Sequence, residues 1–285
     1  MSRVVYVNGE FLAEEDAKVS IFDRGFLFAD GVYEVTVVLE SKLVSFDSHM
    51  IRLKRSLNEI GMKAACSDEE LLSIHRQLIK ENDLEEGIVY LQVTRGVADR
   101  SFDYPDNKVP STLVMFTKKQ DIIKQPLISR GAKLITVEDM RWGRRDIKTT
   151  QLLFSSMAKM EAKNNGADDA WLVTDGLVNE GTSNNAFIVT QDDVIVTRHL
   201  SHKILHGITR VTVLKCAAAF NLKIEERPFT IEEAKNAKEA FMSSSTLSIC
   251  PVIEIDGHPI GAGVPGPIVQ HLRETYFIEA RKSLI

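Results

Sequence analysis

Asn8-Gly9, Asp175-Gly176 and Asp256-Gly257 each stand between short apolar runs. Both residues of such a pair accept the positive φ angles of a two-residue hairpin turn. Sequence punctuated in this way folds into antiparallel sheet and excludes an all-helical bundle. Other stretches carry helical spacing instead. Met50, Ile51, Leu57 and Ile60 follow Asp47, read as an N-cap, and Gly61 supplies the stop. Ser67 and Glu70 have capping-box spacing ahead of Leu71, Leu72, His75, Leu78 and Ile79. The chain is therefore a mixed α/β (α+β) protein.

Its 285 residues exceed what one average core serves, which favours two domains or one large α/β unit. Hydrophobic residues at 44% and charged residues at 26% exclude a disordered or fibrous chain. Lys+Arg 35 against Asp+Glu 40 leaves a net charge of -5, and no window carries a basic run that could neutralise several phosphates, so nucleic acid is not an expected partner. No stretch approaches the roughly 20 apolar residues of a membrane span, and Val4–Val7 is too short for a secretory leader. Cys66, Cys216 and Cys250 are isolated and odd in number. Neither a disulfide framework nor a thiolate metal site is expected, and a cytoplasmic setting follows.

Strands are expected at 4–7, 11–12, 32–39, 43–46, 88–93 and 112–116. The polar stretch 118–129, with Pro126 and no periodicity, reads as a linker, dividing the chain into 1–120 and 121–285. Beyond it come a strand at 133–137, a basic segment at 141–145 and a helix from about Gln151 with Leu152, Leu153, Met157 and Met160, ended by Gly166. Strands at 170–173 and 177–178 flank Asp175-Gly176, so Glu180 ends a strand beside a tight turn. A further hairpin joins 186–189 to 194–196. Thr209 is read as the N-cap of a helix over 211–220, and Thr230 with Glu233 as a second capping box. Strands at 241–242 and 252–255 precede a last helix from Ile268.

Gly261-Ala262-Gly263-Val264-Pro265-Gly266 is formally the dinucleotide pattern, but it lacks the strand, helix and distant acid that give that pattern its meaning. It reads as a loop before the last helix. His202 and His206 have a metal-compatible spacing without a third ligand, so no metal is expected. Asp168-Asp169 and Asp192-Asp193 read as turn residues. Three features could bear chemistry. Gly207-Ile208-Thr209 offers N–H groups and a helix dipole to an anion. Ser243-Ser244-Ser245-Thr246 offers hydroxyls, and Lys148 offers an amine. Singly, each also fits an ordinary cap, turn or surface lysine, and spacing alone leaves the function open.

Together with Glu180-Gly181-Thr182-Ser183-Asn184-Asn185, these features resemble the ordered signature of fold-type IV pyridoxal-phosphate enzymes. The resemblance spans nearly the whole chain: Asp23-Arg24-Gly25, the segment Asp30 to Glu34, Arg52-Leu53, Arg95-Gly96, Asp146-Ile147-Lys148 and the segment Pro251 to Gly257 fall in family order. It implies a two-domain fold with pyridoxal 5′-phosphate in the interdomain cleft, a smaller N-terminal domain and a homodimer. Lys148 would hold the cofactor covalently and move protons. Glu180 would face the pyridine nitrogen. Arg52, the N–H groups of Ile208 and Thr209, and the hydroxyls of Ser244 and Ser245 would hold the phosphate, with Leu205 against the ring.

Within the family, Asp146-Ile147-Lys148 resembles the D-amino-acid transaminases, and Leu153 stands where branched-chain enzymes usually carry Tyr. The resemblance implies a D-alanine-like amino donor, a 2-oxo acid acceptor such as 2-oxoglutarate or pyruvate, and a substrate carboxylate held by Tyr33 and Arg100. The chain departs from the pattern at Phe102, where those enzymes have His, and at Ser248 and Cys250 before Pro251. The alternatives are an (R)-amine or branched-chain transaminase and, further off, an aminodeoxychorismate lyase.

Overall fold

The Asn8-Gly9 pair adopts φ of 49° and 109°, joining β1 (Val4–Val7) to β2 (Glu10–Ala13). The computed structural model describes residues 2–106 and 108–285. A short helix α1 (Arg24–Phe28) leads into β3 (Gly31–Leu39), which turns through Glu40 and Ser41, both left-handed, into β4 (Lys42–Leu43). Helices α2 (Phe46–Glu59) and α3 (Asp68–Glu81) precede β5 (Gly87–Thr94) and β6 (Thr112–Lys119). The six strands form one antiparallel sheet, ordered β2-β1-β6-β5-β3-β4. Its core joins Val32, Val89, Leu91 and Met115 of the sheet to Met50, Leu53 and Leu57 of α2 and Leu71 and Leu78 of α3.

The next elements are α4 (Pro126–Arg130), β7 (Ala132–Glu138), α5 (Leu153–Asn164), β8 (Asp169–Thr174), β9 (Leu177–Gly181), β10 (Asn185–Val189) and β11 (Ile195–Thr197). They are followed by α6 (Ile208–Ala219), β12 (Ile224–Glu226), α7 (Ile231–Lys235), β13 (Glu239–Ser244), β14 (Ser248–Ile255), β15 (His258–Pro259) and α8 (Pro267–Lys282). The strands form a mixed sheet ordered β12-β11-β10-β13-β14-β7-β8-β9, with β15 paired to β14. β7 runs parallel to both β8 and β14. The chain forms two compact units: the first runs to Asp121 and takes in Ile147–Gln151 and Ser283–Ile285, and the second comprises Ile122–Asp146 and Leu152–Lys282.

Several local expectations change. Phe46 opens α2 instead of ending a strand, and the N-cap position belongs to Ser45 at φ 52°, with Asp47 in the first turn. Ile51 is 70% exposed, because it follows Met50 by 100° around the helix and so leaves the face that meets the sheet. In α5 the expected apolar face, Leu153, Met157 and Met160, points outward. The small Ala158 and Ala162 pack against Ala170 and Leu172 of β8 instead. Gly207, not Thr209, is the N-cap of α6, which starts three residues earlier than expected. Thr230 caps α7, but the Glu233 carboxylate goes to Arg227 rather than completing a box. Ser67 and Glu70 do form their capping box. Among the described residues no helix is long and apolar enough to cross a membrane.

Candidate active site

In the first unit, residues 148–150 run beside the start of β3. Tyr33 N donates to Lys148 O at 3.0 Å, and Thr150 N donates to Gly31 O at 3.0 Å. Lys148 N in turn donates to Ser56 Oγ of α2 at 3.3 Å. These bonds fix the lysine backbone and leave its amine over the Tyr33 ring, 4.0 Å from the centroid. The Tyr33 ring itself stacks on Tyr90.

One turn before Ser56 on α2, Arg52 grips Glu34 of β3. Its Nε donates to Oε1 and its Nη2 to Oε2, both at 2.7 Å, while His49 Nδ1 donates to Oε2 at 2.7 Å. Burial opposes charge on Glu34, but Arg52 and His49 overcome it and hold the carboxyl well below the usual range. Burial also lowers the pKa of His49 despite Glu34. Arg52 is therefore held in place by Glu34, one turn of α2 from the Ser56 that binds Lys148 N.

In the second unit, Glu180 is next to last in β9 and buried at 3% exposure. Its Oε1 accepts from Arg141 Nη1 at 2.8 Å, and its Oε2 accepts from Leu205 N and Asn185 Nδ2, each at 3.0 Å. Burial pushes the Glu180 carboxyl upward against the pull of Arg141 and the Leu205 N–H. Arg141 is itself held by Asp139, whose Oδ2 also accepts from Asn179 Nδ2 at 2.8 Å. Burial opposes ionisation of Asp139, and its Arg141, Asn179 and Arg145 partners still bring its pKa down.

The turn after Glu180 is tied to Asp169. Its carboxylate accepts from Thr182 Oγ1 at 2.6 Å and from Asn184 Nδ2 at 2.9 Å. Asp169 is thus a buried anchor of β8 and not the turn residue expected of it. Asn185 pairs across the sheet with Ser243, which brings the start of β10 beside the end of β13 and its Ser244. Past Leu205, α6 begins on Gly207, which has no side chain to cap with; helix geometry leaves the N–H groups of Ile208 and Thr209 without intrahelical acceptors. A Cβ at Gly207 would run into Asn185 Oδ1, whose amide is tied to Glu180 and to Leu205 O, so glycine spares that network a shift.

The structure thus groups Lys148 with Tyr33 and Arg52 in one unit. In the other it groups Glu180 with Leu205, and Ile208 and Thr209 follow directly. Ser244 and Ser245 sit at the β13–β14 hairpin. Arg100 is exposed in the loop after β5, its guanidinium 5.5 Å from the Phe28 ring and 5.7 Å from that of Phe102, which is 83% exposed. Among the described residues none of its contacts reaches Tyr33 or Lys148. His49 and Asp139 carry no signal of their own in the sequence, and the motifs and turns that contain Glu34, Arg141, Asn185 and Asp169 assign those residues no side-chain role. The local signal is the basic segment 141–145 flanked by Asp139, which Arg141 grips, and Asp146, which Arg144 grips.

Residues 31–255 match the family described as Amino-transferase class IV. The D-alanine aminotransferase of Staphylococcus aureus (strain N315) is 40% identical over 272 residues, 95% of this chain and 96% of that protein. The D-alanine aminotransferase of Bacillus licheniformis is 39% identical, over 94% of each chain. Among solved structures, the T.th. branched-chain amino acid aminotransferase with pyridoxamine 5′-phosphate superposes with a TM-score of 0.90 at 26% identity, covering 100% of this chain and 98% of that one. The branched-chain aminotransferase of Thermoproteus uzoniensis with norvaline gives 0.89 at 27% identity, covering 100% and 99%. On its sequence and on its fold alike, this chain belongs to the class IV amino-transferase family.

Proposed function

We propose that the chain is a D-amino-acid transaminase that uses pyridoxal 5′-phosphate to pass the amino group of a D-alanine-like donor to a 2-oxo acid such as 2-oxoglutarate or pyruvate. The observation that carries this reading is the short stretch from Glu180 to α6 in the second unit. It combines a buried carboxylate, suited to a cationic ring nitrogen, with an uncapped helix start, suited to a phosphate. A ligand with both groups fits this donor and acceptor set. When bound, the cofactor supplies an electrophilic carbonyl carbon and a ring that draws electrons from the donor's α-carbon.

This chain's residues divide the remaining work. Lys148 Nζ is the nucleophilic amine and the acid–base group that would move the proton between the donor's α-carbon and the cofactor's C4′. Glu180 keeps the ring nitrogen protonated, and Arg141 keeps Glu180 ionised and in place. Arg52, the N–H groups of Ile208 and Thr209, and the hydroxyls of Ser244 and Ser245 hold the phosphate, with Leu205 against the ring. Tyr33 and Arg100 hold the donor's carboxylate. The exposed Phe26, Phe102, Leu153 and Met157 support a homodimer, since a second copy would cover apolar side chains that now face water. The three free thiols suit a reducing, cytoplasmic compartment.

A branched-chain activity has support from the solved relatives at 26–27% identity. The D-alanine enzymes at 39–40% over nearly the full length support the D-selective reading more strongly. The deciding experiment gives the cofactor-loaded protein D-alanine, L-leucine and (R)-1-phenylethylamine, each with 2-oxoglutarate, and follows glutamate formation. D-alanine should be the preferred donor. Preference for L-leucine or the amine moves the assignment to the corresponding alternative.

A further inference from the structure

Helix α8 packs on α6, β13 and β14 and reaches both proposed phosphate-binding segments from behind. Arg273 Nη1 donates to the carbonyls of Leu247 at 2.9 Å and Ile249 at 2.8 Å and to the Ser248 hydroxyl. Its Nη2 donates to Ile122 O at 3.2 Å and Ile123 O at 2.9 Å. Gln125 Nε2 adds a bond to Thr246 O at 2.8 Å. The hairpin between β13 and β14 is thus held by its carbonyls, and Ser248, at φ 53°, sits in the left-handed conformation that closes it. Within the hairpin, Leu247 N donates to Ser244 Oγ at 3.2 Å. That bond occupies an acceptor lone pair of Ser244 and leaves its O–H able to donate.

One turn further along α8, Tyr276 is buried where this helix packs on α6, whose Thr209 is buried as well. Thr209 is the second residue of α6, so α8 backs the first turn, whose N–H groups are unbonded within the helix. Anion affinity at such a site depends on several donors converging at fixed positions, and any slack in the loop or in the helix start is removed at the cost of binding energy.

Resting on the phosphate roles proposed above, we infer that α8 is the positioning platform of the phosphate end of the site. Arg273 holds the Ser244–Leu247 turn, and the helix at Tyr276 backs the start of α6. Arg273 does not touch the ligand and acts through the hairpin.

The test compares binding of pyridoxal 5′-phosphate and of pyridoxal, which lacks the phosphate, to apoprotein by equilibrium dialysis. The proteins are wild type, Arg273→Ala, Arg273→Lys and Gln125→Ala. Arg273→Ala should reduce the preference for the phosphorylated ligand about tenfold or more, since it removes charge-assisted bonds. Gln125→Ala should reduce it roughly two- to fivefold, as for one neutral hydrogen bond. Arg273→Lys should recover part of the loss, and pyridoxal affinity should stay level throughout. A preference unchanged in Arg273→Ala and Gln125→Ala, or an equal loss of both ligands in the Arg273 variants, overturns the inference. A wild-type protein that binds both ligands equally well instead overturns the phosphate assignment beneath it.

Discussion

Arg141 joins Glu180 at 2.8 Å through Nη1 while its Nε and Nη2 hold Asp139, each at 2.9 Å. One guanidinium therefore sets both the place and the charge of the carboxylate assigned to the ring nitrogen. Burial raises the pKa of Glu180, and Arg141 is the largest influence opposing that rise.

Replacing Arg141 by Ala removes that opposition, so the Glu180 carboxyl should ionise only at higher pH. Cofactor affinity, which needs the ionised form, should then fall off at higher pH than in the wild type. Breaking a buried pair also costs about 3–5 kcal/mol of stability. Dissociation constants for pyridoxal 5′-phosphate measured from pH 5 to 9 give the check. An unshifted midpoint would mean that Arg141 does not control this carboxylate.

Lys148→Ala should abolish steady-state transamination and leave a folded protein that still retains the cofactor noncovalently. The Lys148 backbone makes the bonds to Tyr33 and Ser56, and alanine keeps them. Borohydride reduction of the loaded wild type followed by peptide mapping should place the label on Lys148. A label on another lysine would rule the assignment out.

Arg100→Ala should harm D-alanine turnover far more than turnover of (R)-1-phenylethylamine, which has no carboxylate for the guanidinium fork to grip. Phe102 cannot form a hydrogen bond, so Arg100 and Tyr33 would bear that task alone. Equal losses with both donors would show that Arg100, exposed between Phe28 and Phe102, is a surface cation only.

His75 lies fully buried in α3, its Nδ1 donating to Leu71 O at 2.7 Å, and burial lowers its pKa from 6.5 to about 4. A folded-state value below the unfolded one means that the unfolded chain binds the proton first. The stability held by neutral His75 is present above pH 6.5 and is lost as pH falls toward 4. The loss amounts to roughly 3 kcal/mol. Urea unfolding at pH 7 and pH 4 should show His75→Phe losing about that much less than the wild type. Identical pH dependence in the two proteins would exclude His75 as the titrating group.

Local rules were legible wherever the deciding atoms lie within a few residues of one another. Asn8-Gly9 makes its turn because both positions take left-handed angles, and Ser67 reaches Glu70 because three residues of helix bring them together. The ordered motifs around Lys148, Glu180 and Ile208–Thr209 likewise carried the family assignment. The same local rules misplaced the N-cap of α6: Thr209 has the better capping side chain, but the helix is entered at Gly207, where any side chain would press on Asn185.

Outward and inward faces were harder to read, because hydrophobicity says that a side chain can be buried but not which neighbour is available to bury it. Leu153, Met157 and Met160 carry the stronger apolar signal in α5, yet Ala158 and Ala162 face β8, where small side chains allow close approach.

The sequence by itself determined the turns, most helix limits, the family and the residue types of the site. Tertiary structure decided which charges meet. Arg52 finds Glu34 from 18 residues away, and Arg141 finds Glu180 across 39. No propensity or spacing rule acts over such separations; only the packing of α2 on β3, and of the segment after β7 beside β9, brings these groups within hydrogen-bond reach and out of water, where their charges govern one another.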